Sequence, residues 1–152
     1  MLGAAGVRVA VRKHEGPAVL GSFGGELVDL LAGAGVEGQV VQAGAEAVVA
    51  GYPLDHPFRA VAARIGGTQN AVGPDIYQTG TADRQIFEIR AQVQPGNSGG
   101  PLLSPSGTVY GVVFAAAVDA SNTGFALTAS EVASDASAGA NQTVPTSTQS
   151  CD

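Results

Sequence analysis

The stretch VQPGNSGGPLLSPSGTVYGVVFAA, Val93–Ala116, sets Ser98 inside Gly96-Asn97-Ser98-Gly99-Gly100-Pro101. An apolar run follows, then the turn Pro105-Ser106-Gly107, then a second apolar run, the pattern of a tight β-hairpin. A serine hydroxyl is a weak nucleophile unless something activates it. Acyl transfer also needs two N–H donors aimed at the developing oxyanion. A glycine two positions before the serine lets the backbone turn its N–H inward with no Cβ in the way, so the Gly96 and Ser98 amides are the candidate pair. Gly99 and Gly100 leave room for the chain to run back beneath a substrate, and Pro101 opens the next strand without needing an N–H of its own. The plain alternative is a glycine-rich hairpin loop; the length of the motif and the apolar hairpin behind it favour an oxyanion hole with its serine.

Working outward, six β-like runs lie between residues 44 and 128: Ala45–Tyr52, Phe58–Gly67, Arg84–Val93, Gly99–Pro105, Thr108–Ala116 and Thr123–Ala129. Turn residues separate them at Pro53-Leu54-Asp55, Gly73-Pro74-Asp75, Pro95-Gly96-Asn97, Pro105-Ser106-Gly107 and Asp119 to Gly124. In QIFEIRAQV the alternation is clean. Phe87, Ile89, Ala91 and Val93 share one face, and Ile86, Glu88, Arg90 and Gln92 the other. Six short antiparallel strands at even spacing predict an all-β domain, a six-stranded antiparallel barrel. Thr128 followed by Glu131 is a capping box and predicts a short C-terminal helix to about residue 138, with Val132, Ala133 and Ala136 as its thin apolar face. Residues 139–152 are rich in Ser, Thr, Asn and Gln and are expected to be a disordered tail; Asn141-Gln142-Thr143 within it matches a glycosylation sequon. Residues 1–43 are mostly Gly, Ala and Val. Val7–Arg12 alternates like a strand, and GELVDLLAGAG, Gly25–Gly35, fits a short helix or a strand.

Composition narrows the function. Only 13% of the 152 residues are charged, 5% are aromatic, 22 are glycine, and the net charge is -6. A turn-rich β domain fits this better than a helical bundle. No basic patch exists to meet phosphates, which argues against nucleic-acid binding. No apolar run reaches the ~18 residues of a membrane span, and no basic n-region precedes the apolar N-terminal stretch as a signal peptide requires. The single Cys151 has no intramolecular partner and builds no metal site. No cofactor is implied.

GNSGGPLL (Gly96–Leu103), YGVVFAA (Tyr110–Ala116), NTGFALTASEV (Asn122–Val132) and VVAGYP (Val48–Pro53) resemble the chymotrypsin-like, or trypsin-like, serine proteases, in the bacterial branch that includes the HtrA proteases. GYP, GPDIY (Gly73–Tyr77), GVVFAAAVD and the late cysteine are more narrowly similar to membrane-anchored periplasmic serine proteases of actinobacteria. The resemblance covers about residues 44–135 and implies the second, C-terminal barrel of the family's double-barrel fold. It implies Ser98 as nucleophile and Gly96 and Ser98 as the oxyanion hole. It also implies Phe114 to Ala116 as the strand that pairs with substrate, and Gln92, Val93, Ala115, Ala116 and Gly124 as lining of the primary specificity pocket. No acid falls at the pocket floor, so a small or apolar residue is expected there rather than Arg or Lys. Asn97 stands where many animal relatives have Asp, so activation by a freed N-terminus is not expected.

The family's His and Asp lie on the first barrel. His14 in VRKHEGP and His56 in PLDHPF lack the Thr-x-Ala-His context, and His56 is expected in a solvent-facing turn. Asp29 in LVDLLAG only faintly resembles the family's Asp and lies fifteen positions after His14. The expectation is therefore a serine endopeptidase chain lacking the triad His and Asp, with residues 1–43 a remnant or misread segment. Cys151 then resembles one half of a disulfide whose partner is in the missing part. The alternative is a non-catalytic, protease-like peptide-binding module. A polypeptide is the implied substrate. The membrane is reached only through an anchor absent from this chain, an exposed barrel face invites self-association, and the family's location is extracytoplasmic, on the periplasmic side of the cell membrane.

Overall fold

The computed structural model describes residues 40–74, 79–140, 142 and 144. His14, Asp29, the Val7–Arg12 and Gly25–Gly35 readings, the sequon and Cys151 lie outside the described residues.

Among the described residues six strands follow one another in the chain: β1 (Glu46–Gly51), β2 (Arg59–Pro74), β3 (Thr81–Arg90), β4 (Pro101–Leu103), β5 (Val109–Ala116) and β6 (Thr123–Thr128), followed by helix α1 (Ala129–Ala140). All pairings are antiparallel, and each strand has two neighbours, in the ring order β1-β2-β3-β6-β5-β4 with β4 returning to β1. The expected six-stranded all-β barrel with a C-terminal helix is the fold found.

Alternation explains why the ring closes on a dry interior. Each strand supplies at least one fully buried side chain to the central cluster: Val49, Ile65, Ile89, Leu102, Val113 and Ala126. Phe87, Ile89, Ala91 and Val93 all join that cluster, as the period-two pattern of β3 predicts. Ile86, on the opposite face, packs outside with Ala115 and Phe125. Helix α1 covers a further outer patch by setting Val132 and Ala136 against Leu103 and Val109. Thr128 caps it, accepting a hydrogen bond from the Glu131 amide at 3.3 Å. Glu131 does not complete the box. Its carboxylate reaches across to β3 instead, accepting from the Gln85 amide at 3.1 Å and pairing with Arg84 at 3.4 Å.

Several element bounds differ from expectation. β2 runs on to Pro74, so Gly73-Pro74 is the end of a strand rather than a turn; Asp75 lies outside the described residues. A bulge between Ile65 and Gly67 carries the strand past its two glycines. Beyond the bulge, Thr68–Pro74 pairs only with β3 and forms a ribbon projecting from the ring, where an edge proline is tolerated. β3 correspondingly starts at Thr81 and ends at Arg90, short of Val93. β4 is only Pro101–Leu103. Gly124 sits inside β6, opposite Ala116, rather than in the turn before it. α1 reaches Ala140, two residues into the expected tail, because its small residues still continue the helix.

Gly111 tests the tightness of the ring. A Cβ there would strike the Leu127 carbonyl oxygen on β6, whereas one at Gly73 on the ribbon would meet nothing within 4 Å. Gly111→Ala should lower the unfolding free energy by about 2 kcal/mol or more, as overpacking against backbone does, and Gly73→Ala should leave it unchanged or slightly raised. Urea unfolding of the two variants checks this.

Candidate functional site

The chain between β3 and β4 carries the serine loop, and three constraints shape it. The first is a pair of linked turns: the Asn97 amide donates to the Gln94 carbonyl and the Gly100 amide to the Asn97 carbonyl, both at 3.0 Å. The second is the Asn97 side chain, 1% exposed, whose Oδ1 accepts the Gln94 amide at 2.9 Å. Its Nδ2 is buried without a partner, close against Gly51. The third is a left-handed backbone at Gly96 (φ +93°) and Gly99 (φ +83°). Glycine adopts that conformation at no steric cost.

The loop is tied down on two flanks. On one, the Gly99 amide donates to the Val113 carbonyl at 2.8 Å and the Val113 amide to the Gly100 carbonyl at 2.9 Å, which joins the loop to β5. On the other, the Leu54 amide donates to the Pro95 carbonyl at 2.7 Å. Leu54 belongs to a 3₁₀ turn over Pro53–Asp55 between β1 and β2, and holds φ 56°, ψ 35°. A leucine in that region costs roughly 1–3 kcal/mol and persists only where its surroundings enforce it. Gly96 is pressed against this segment so closely that a Cβ would strike the Tyr52 carbonyl oxygen, and a Cβ on Gly100 would strike that of Ala50.

Ser98 is exposed at the crest between the two flanks, and its hydroxyl donates to the Phe114 carbonyl at 3.4 Å. Among the described residues the Gly96 and Ser98 amides donate to no protein acceptor, while Gly99 and Gly100 do. Phe114 is the extra residue of a bulge in β5, where Val113 faces Ala126 and Ala115 faces Phe125. The bulge turns the Phe114 carbonyl toward the serine. Bulges are frequent beside functional sites for this reason.

The other residues singled out from the sequence fall on the β5–β6 side. Ala116 pairs with Gly124, and Val93 fills the space beside Gly124 that a side chain there would need. Val93, Ala115 and Gly124 are buried, Phe114 and Ala116 half-buried, and Gln92 exposed. His56 is exposed at the end of the 3₁₀ turn, as expected. Among the described residues no group of three or more His, Cys, Asp or Glu is placed to hold a metal, and no helix is long and apolar enough to cross a membrane. The turn read at Pro53-Leu54-Asp55 is found; sequence reasoning did not foresee that it braces the serine loop, nor the buried carboxamide of Asn97.

The two positive-φ glycines of the serine loop separate backbone strain from steric contact, because a Cβ at Gly99 meets nothing within 4 Å while one at Gly96 meets Tyr52. Gly99→Ala should destabilise by about 1 kcal/mol from its dihedral alone. Gly96→Ala should cost about 2 kcal/mol more. Paired urea titrations give the difference.

The sequence matches the description "Trypsin-like peptidase domain" over residues 13–112, a span that begins well before residue 44, where the motif resemblance starts. The chain is 50% identical over 105 residues to the serine protease Rv3671c of Mycobacterium tuberculosis, covering 68% of this chain and 26% of that protein. It is 32% identical over 74 residues to the Bacillus subtilis serine protease Do-like HtrB, covering 47% of this chain and 16% of that one. The crystal structure of the active form of the Rv3671c protease superposes with a TM-score of 0.68 at 43% identity, over 73% of this chain and 49% of that one. The inactive form gives 0.60 at 45% identity, over 67% and 52%. The chain thus spans about a quarter of the curated relative and half of the crystallised one.

Proposed function

The chain belongs to the trypsin-like peptidase family, and from that membership we propose that it carries the nucleophile-bearing barrel of a serine endopeptidase. Ser98 Oγ attacks the scissile carbonyl carbon as its proton passes to a general base, which then protonates the leaving amine, and the carbonyl oxygen becomes an oxyanion held by the Gly96 and Ser98 amides. The acyl group stays on Ser98 as the amine leaves, and water then releases it. The observation that carries this reading is the pair of unengaged amides beside an exposed serine, in a loop whose shape depends on Gly96, Gly99 and Gly100. One donor of such a hole is worth about 2.7–4 kcal/mol to the transition state.

The substrate chain runs along Phe114–Ala116 as an added strand. Val93, Ala115, Ala116 and Gly124, with Gln92 at the rim, set the first specificity position. With Val93 filling the space beside Gly124, that position takes a small or apolar residue. The general base and its orienting carboxylate come from outside the barrel. Without them turnover falls by on the order of 10⁶. The likeness to a mycobacterial serine protease supports action on polypeptides; the motif resemblance to membrane-anchored periplasmic proteases supports a site of action on the periplasmic side of the membrane, and an exposed barrel face invites self-association.

Casein hydrolysis by the chain alone should be negligible. With imidazole supplied as an external base, a fluorophosphonate probe should form a one-to-one adduct at Ser98, seen by intact mass and peptide mapping and absent from Ser98→Ala. A well-folded protein that gives no adduct under those conditions supports the non-catalytic peptide-binding module instead.

A further inference from the structure

Strand β2 outruns the ring. From Thr68 to Pro74 it pairs with β3 alone, and Thr81–Gln85 of β3 pairs with β2 alone, because β6 joins only at Ile86. A two-stranded ribbon is marginal by itself in water, but this one is seated on the ring, where Ala71 packs against the outer cluster of Ile86, Ala115 and Phe125. Its two edges differ. The β3 edge is closed: Glu131 of α1 accepts the Gln85 amide at 3.1 Å and pairs with Arg84 at 3.4 Å, and Asp83 adds a further charge. The β2 edge has no such protection. Among the described residues no backbone group of Thr68–Gly73 has a partner outside β3. Ile65–Pro74 contains no charged residue, and Val72 is 71% exposed. An open, uncharged edge is a template for another strand, and proteins that must avoid such pairing blunt it with charge, bulges or cover.

We propose that this edge pairs with the same edge of a second copy of the chain, joining two ribbons into one four-stranded antiparallel sheet about a two-fold axis. The segment fits itself. The bulge between Ile65 and Gly67 limits the open edge at one end, and Pro74, with no N–H to offer, limits it at the other. With the axis at Ala71, Ala71 faces the partner's Ala71, Asn70 faces the partner's Val72, and Thr68 faces the partner's Pro74. Both limits then coincide at each end of the ladder. No like charges meet across it, since none are present. The contact also closes. Each copy spends its one open ribbon edge, and the β3 edge stays covered by α1, so a dimer forms rather than a fibre. Four strands with Ala71 of each copy on an apolar cluster pass the size at which a sheet is stable.

Sedimentation velocity of the full chain from about 1 μM to about 1 mM tests this. The expected result is a reversible monomer–dimer equilibrium with no larger species. Asn70→Lys combined with Val72→Lys sets lysine against lysine twice across the pairing, and should raise the dimer Kd about tenfold or more. Asn70→Lys combined with Val72→Glu sets lysine against glutamate twice, and should bring the dimer back. Both positions are exposed, so the fold is kept, as far-UV circular dichroism checks. Val118→Lys, at a residue 72% exposed and outside the ribbon, should change nothing. A chain that stays monomeric throughout the range overturns the proposal; binding of a labelled peptide of residues 67–74 to that monomer would give the edge to an extended segment of another protein. A dimer that the paired lysines leave intact overturns it too, and gives the association to the open barrel face. So does growth beyond the dimer, or a lysine–glutamate variant that dimerises no better than the paired lysines.

Discussion

The serine loop depends on one close contact, the Gly96 backbone against the carbonyl of Tyr52. No side chain fits between them, and the φ of +93° that brings Gly96 there is one that other residues rarely adopt. With that contact in place, the Leu54 amide reaches the Pro95 carbonyl, Asn97 turns its side chain inward, and Ser98 rises to the surface. The same loop then feeds Pro101–Leu103 into the gap between β1 and β5 that closes the ring. Site geometry and barrel closure are therefore set by one short segment, so a change that disturbs the loop disturbs both.

The barrel holds the serine loop from both sides. β5 offers a bulged strand whose Phe114 carbonyl meets the Ser98 hydroxyl, and the bracing turn fixes the opposite flank. Neither arrangement needs a charged side chain. The loop is positioned almost wholly by backbone hydrogen bonds and by glycine, which suits an electrostatic role in which N–H dipoles must be held still.

Much of this was legible in the sequence where a local rule operates. The period-two pattern placed Phe87, Ile89, Ala91 and Val93 in the core, and Thr128 announced the helix. The Gly-Asn-Ser-Gly-Gly-Pro motif marked the loop because each glycine there answers a steric need of its own neighbourhood. Local rules failed where tertiary pairing overrode them. Gly66-Gly67 looks like a strand end and Gly73-Pro74 like a turn, yet a bulge carries β2 past the first and an unpaired edge lets it reach the second. The left-handed Leu54 could not be foreseen, since leucine has no preference for that conformation and a hydrogen bond from far along the chain holds it. The burial of Asn97 was equally hidden, because its partner amide belongs to a turn formed only once the loop is folded.

The central claim is that Ser98 is a nucleophile backed by the Gly96 and Ser98 amides. A crystal structure of the chain soaked with a peptide boronic acid tests it most directly. The account predicts a bond from Ser98 Oγ to boron, with one boronate oxygen about 2.7–3.1 Å from both amide nitrogens and the peptide paired along Phe114–Ala116. A boronate bound elsewhere, or one on Ser98 with either amide turned away from it, would contradict the account.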